Sequence, residues 1–107
     1  KKIFDQETVK KIEGMVAAVD HAYEAMLVNL EAAHKGELVE ISNAYNAEDR
    51  INNLRNNLRE AEIEELESNR KNYHASVYYM DIVSELEKMG DFIINISQTL
   101  EKSFVKK

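Results

Sequence analysis

The 107-residue chain contains no proline and only three glycines. Proline removes a backbone donor and clashes with the preceding helical turn, and glycine is the cheapest residue at which to reverse a chain. A sequence this poor in both has few places to stop a helix or build a tight hairpin. Long helices are therefore the expectation, and the apolar residues carry the matching period. Val9, Ile12, Val16, Val19, Tyr23, Met26 and Leu30 recur at spacings of three and four, which predicts an amphipathic helix over about 5–34. Asp5 is placed to cap it with its carboxylate, and Gly36 supplies the positive φ of the turn that follows. A second stripe, Leu38, Ile41, Tyr45, Ile51, Leu54, Leu58 and Ala61, predicts a helix over about 37–67, roughly 45 Å long. Ser68, Asn69, Arg70, Lys71 and Asn72 form a polar break. The third stripe, Tyr79, Ile82, Leu86, Met89, Ile93, Ile96, Leu100 and Phe104, predicts a helix over about 72–103. Three long helices joined by short turns run up, down and up. The fold class is all-α, an up-down-up bundle of three long antiparallel helices in one domain, 1–107.

Composition narrows the function classes. At 44% hydrophobic and 32% charged the chain can bury a core and is too apolar to be a disordered tail. Its net charge of −6 argues against nucleic acid as a partner, since phosphate binding needs surplus positive charge. The absence of cysteine excludes disulfides, thiolate zinc sites and thiol catalysis, and fits a cytosolic compartment. No apolar run approaches the ~20 residues of a membrane span, and no signal peptide is visible. The chain begins with Lys1 instead of Met, as a piece of a longer protein would.

Few residues point to catalysis. Glu31 and His34 have the Glu-x-x-His spacing of di-iron bundles, but such sites need two pairs and this chain has one. His34 also sits where a helix C-terminus favours a basic group. His21 and His74 have no partner in the sequence. No glycine-rich phosphate loop and no nucleophile elbow occurs, so no enzyme activity is expected.

The third helix carries a second, polar stripe of Ser84, Glu87, Asp91, Asn95 and Gln98. Glu87 and Asp91 are one turn apart and repel each other unless a cation or an arginine sits between them. Their oxygens suit a hard cation such as magnesium, calcium, manganese or iron. Spacing alone also describes an ordinary solvated face, which is the commoner case. Glu48 lies at the edge of the second apolar stripe, where a partly desolvated carboxylate needs a partner. It either pairs with Arg55 or a lysine at the core margin, or lies with Asn52 beside the Glu87–Asp91 pair of the neighbouring helix.

The string Ser84-Glu85-Leu86-Glu87-Lys88-Met89-Gly90-Asp91, continuing to Asn95-Ile96, resembles the strongest motif of the PhoU family, D-L-E-R-I-G-D followed by N-I. Glu85, Leu86, Glu87, Gly90, Asp91, Asn95 and Ile96 match it in place, with Glu85 for Asp; Lys88 and Met89 depart conservatively. A glycine inside a helix costs ~1 kcal/mol, and the pattern gives a reason for Gly90. Glu48-Asp49-Arg50-Ile51-Asn52 is similar to the family's second acidic motif, with Asn52 where aspartate is usual. The stretch from Tyr78 to Asp91, with Asp81 one turn before Glu85, is similar to the PhoU-like domain that ends many bacterial sodium–phosphate cotransporter proteins. The likeness covers the second and third helices, and the first only by length and pattern.

The resemblance implies one PhoU-like repeat, itself a three-helix bundle, of which full PhoU proteins carry two. It implies a cytosolic regulatory domain at the inner face of the membrane, docking a helical face on the membrane part of a sodium-dependent phosphate transporter. In some members the acidic motifs bind multinuclear metal clusters. The carry-over is a divalent or iron cation at Glu87 and Asp91, with Glu48 and Asn52 from the second motif. Asn52 keeps an oxygen ligand but loses a charge, and a single repeat lacks the other repeat's motifs unless a second chain supplies them. Independently of the family, Val77, Val83 and Ile94 lie outside the main stripe of the third helix and predict a homodimer. The other reading is a purely structural dimerisation module that binds no metal or ligand.

Overall fold

A computed structural model describes residues 3–68 and 72–105, with the backbone alone for the last two. It contains three helices, α1 (Gln6–His34), α2 (Ser42–Glu67) and α3 (Tyr73–Val105), with no strand among the described residues. Every pair of helices packs, and α1 lies most extensively against α3. The expected all-α three-helix bundle is the observed fold. It measures 57 × 24 × 15 Å, and its radius of gyration of 17.0 Å exceeds the ~13 Å of a compact chain of this length. No helix among the described residues is long and apolar enough to cross a membrane.

The helix ends follow local chemistry. Asp5 Oδ1 accepts from the Thr8 amide at 2.8 Å, the anticipated N-cap of α1. At the other end, Gly36 has φ 74°, its amide donates to Ala33 O, and the Glu37 amide donates to Ala32 O. That paired closure needs a left-handed residue at Gly36. Helix α2 starts at Ser42, not at the expected Glu37. The Gly36 closure uses the Glu37 amide, and the chain then crosses the bundle end in non-helical conformation, with Val39 buried and Leu38 70% exposed. Helix α3 is capped by Asn72, whose Oδ1 accepts from the Ala75 amide at 3.2 Å. Of the polar break, Asn69, Arg70 and Lys71 lie outside the described residues, as does the Phe104 side chain.

The core is rotated from the stripes of large apolar residues. In α1 it runs through Thr8, Met15, Ala18, Val19, Ala22, Met26 and Asn29, whereas Val16, Tyr23 and Leu30 are exposed. In α2 it runs through Ala44, Ala47, Ile51, Leu58 and Glu62, and Tyr45 and Ala61 lie outside. In α3 it follows Ser76, Tyr79, Val83, Gly90, Ile93, Ile94 and Ser97, while Met89 and Ile96 are about half exposed. Val83 and Ile94 are therefore core residues, and only Val77 of the three proposed for a dimer surface is exposed. The physical reason is that alanine, serine and glycine let the helix backbones approach closely. A stripe traced through bulky residues alone settles on a neighbouring flank.

Two polar groups are closed into this core. Asn29 and Asn43 exchange side-chain hydrogen bonds at 3.1 and 3.4 Å, and Asn29 Nδ2 reaches Ser97 Oγ at 3.5 Å, which ties all three helices at one level. Farther along, Ser76 Oγ donates to the buried Glu62 carboxylate. Buried polar groups of this kind fix register, because any slip leaves them unpaired.

Candidate functional site

Helices α2 and α3 run antiparallel, and their seam gathers the acidic residues singled out in the sequence. Gly90 is where the two approach: a Cβ there would lie 2.8 Å from Ile51 Cδ1. One turn to one side, Arg55 of α2 donates from Nη1 to Glu87 Oε2 of α3, with both side chains largely buried. An arginine thus occupies the place at Glu87 that a cation would otherwise take. Arg55 is taken up by Glu87 and not by Glu48.

On the other side of Gly90, Glu48 is half-buried on α2 and Asp91 is exposed on α3. Burial pushes the Glu48 carboxyl above its usual range, and the negative charges of Asp91 and then Asp49 push it further. The charge of Asp91 on α3 thus acts on Glu48 of α2 across the seam and repels it. Asn52, half-buried one turn after Glu48, offers a neutral oxygen on the same helix. Farther along, Gln98 Nε2 donates to Tyr45 Oη at 3.1 Å, closing the polar side of the α2–α3 seam.

Two carboxylates and an amide oxygen suit one hard divalent cation that keeps several waters. They do not suit a multinuclear cluster: among the described residues no group of three or more His, Asp or Glu side chains is assembled to hold a metal. Glu31 bonds Lys35 at 3.6 Å, and His21, His34 and His74 are all exposed.

No protein-family model, no curated protein and no solved structure matches this chain. The likeness to PhoU rests on the motif residues themselves.

Tyr79, expected on the apolar stripe of the third helix, belongs to a second cluster whose polar members the stripe did not reveal. Tyr79 is 1% exposed, and its hydroxyl has no hydrogen-bond partner among the described residues. Burial, with the charges of Glu62 and Glu65, pushes its pKa up to about 12. The full inward heptad of α3, 76-79-83-86-90-93-97, is visible only when serine and glycine count as core residues.

Proposed function

We propose that this chain is a PhoU-like regulatory docking domain, cytosolic at the inner face of the membrane, that tunes a sodium-dependent phosphate transporter. The observation that carries the reading is the repulsion that Asp91 exerts on the half-buried Glu48. They come from the two acidic motifs, lie on different helices, and flank the one helical glycine whose missing Cβ lets α3 close on Ile51. On this reading the pair is a charge-strained point on the α2–α3 seam. A divalent cation held by Glu48, Asp91 and Asn52 relieves the strain and tightens the seam, while Arg55 holds Glu87 and keeps the helices in register. The tightened bundle then docks a helical face on the transporter and restrains flux. The reading assigns the chain no catalytic step.

The test is sodium-driven phosphate uptake by membrane vesicles from cells expressing a sodium–phosphate cotransporter, with and without this chain. The reading expects uptake to change when the chain is present and to change less with Asp91→Asn. Uptake that is indifferent to the chain contradicts it.

A further inference from the structure

Small residues take many of the core positions, and several large apolar ones lie outside. Ala18, Ala22, Ala44, Ala47, Gly90 and Ser97 line the core, while Tyr23, Leu27, Leu30, Phe92 and Ile96 are 42–68% exposed. These five are not scattered. Asn29, through its bond to Asn43, marks the flank of α1 that faces α2. At about 100° per residue, Tyr23, Leu27 and Leu30 lie roughly 100–160° round α1 from it. Glu87, through Arg55, marks the flank of α3 that faces α2, and Phe92 and Ile96 lie roughly 140–180° round α3 from it. Both apolar stripes are thus on the side of the α1–α3 pair that α2 leaves uncovered. They also share a level, because Asn29 meets Ser97. A groove of about 310 Å³ runs along this part of α3, between Phe92, Ile96 and Leu100.

We propose that this open face of α1 and α3 binds a second copy of the chain, related by a two-fold axis, into a six-helix dimer. Area supports this occupant. The chain exposes 7361 Å², about 1,200 Å² more than a folded monomer of its mass is expected to show. A standard interface removes about 800 Å² per partner, so one pairing accounts for about two thirds of the excess. Charge supports it as well. With a net charge of −6, two copies repel unless they meet on uncharged ground. Residues 25–30 of α1 carry no charge, and between Met89 and Leu100 the single charged residue is Asp91, which faces α2. A two-fold axis lying in the face, parallel to the helices, lays α1 of each copy over α3 of the other at the same level and joins the same apolar residues twice. The inference does not depend on the transport reading: loss of a cation response leaves the pairing standing, and a monomeric chain leaves the acidic pair standing.

The experiment is sedimentation equilibrium of the 107-residue chain at high micromolar concentration. It is run beside Phe92→Glu and Leu27→Glu on the proposed face and Ile63→Glu, on exposed α2 surface, as a control. Each altered residue is exposed, so circular dichroism should report unchanged helicity. The parent and Ile63→Glu should sediment at twice the 12.4 kDa chain mass. Phe92→Glu and Leu27→Glu should sediment as single chains, with dimerisation weakened about a hundredfold or more, because each glutamate enters the interface twice. A parent that is monomeric, a dimer that persists in both face variants, or a control that dissociates as they do overturns the proposal.

Discussion

Ile51 occupies the space into which any side chain on Gly90 would project, with its Cδ1 2.8 Å from the position of the missing Cβ. Ile51 is 1% exposed, so the close approach is part of the core and sets the spacing of α2 and α3 at the acidic seam. Elsewhere in a helix, Gly→Ala gains about 1 kcal/mol from propensity. Here the added methyl meets Ile51 Cδ1, and the gain should vanish or reverse. In an Ile51→Val background the obstructing atom is gone, and Gly90→Ala should stabilise by about 1 kcal/mol. A urea double-mutant cycle measures the coupling. An identical effect of Gly90→Ala in both backgrounds would show that the two residues do not constrain each other.

Tyr79 carries a buried hydroxyl with no hydrogen-bond partner among the described residues. Tyr79→Phe removes a desolvated polar atom without breaking a bond, and should stabilise the bundle by about 1 kcal/mol. The pH dependence has a definite sign. The folded pKa of about 12 lies above the ordinary 10.0, so the fold holds this proton more tightly than the unfolded chain does. That contribution is whole below pH 10 and is lost as pH rises toward 12. Alkaline unfolding curves should therefore fall more steeply for the parent than for Tyr79→Phe. A loss of stability above about 1 kcal/mol in the variant would mean the hydroxyl is bonded.

Glu48 behaves in the same direction at the acid end. Its folded pKa is raised by burial and by Asp91 and Asp49, so its charge opposes folding above that pKa and ceases to do so below the unfolded value. Glu48→Gln should raise the melting temperature at neutral pH, and the difference from the parent should close as pH falls through the carboxylate range of ~4. Lower stability of Glu48→Gln at neutral pH would mean that the carboxylate has a favourable partner in the fold.

The bundle was legible because helix period, capping residues and turn glycine all act locally. Asp5, Gly36 and the polar break near Asn72 mark ends that each depend on a few neighbouring residues. The face of each helix that turns inward was less legible. Ala18, Ser76, Gly90 and Ser97 occupy core positions for their small size, which a hydrophobic tally scores as neutral, and Phe92 is large and outside. The same rotation hid the Asn29–Asn43–Ser97 group and the Glu62–Ser76 bond. The acidic motifs were visible as spacing on single helices. Which carboxylate met which partner depended on the α2–α3 register, and that register gave Arg55 to Glu87 and left Glu48 under the charge of Asp91.

The central claim, that Glu48 and Asp91 form a cation-responsive point on the α2–α3 seam, is tested most directly by thermal melting. The parent and Asp91→Asn are scanned with manganese, iron, magnesium and calcium. Asp91→Asn should melt higher than the parent without added ion, since it removes a repulsion. A cation that binds the pair should stabilise the parent by ~2.7 kcal/mol at a hundredfold excess over its Kd, and the effect should fade as pH drops toward ~4. Asp91→Asn should lose that response. No shift of the parent with any ion, or equal shifts in the two proteins, would contradict the account.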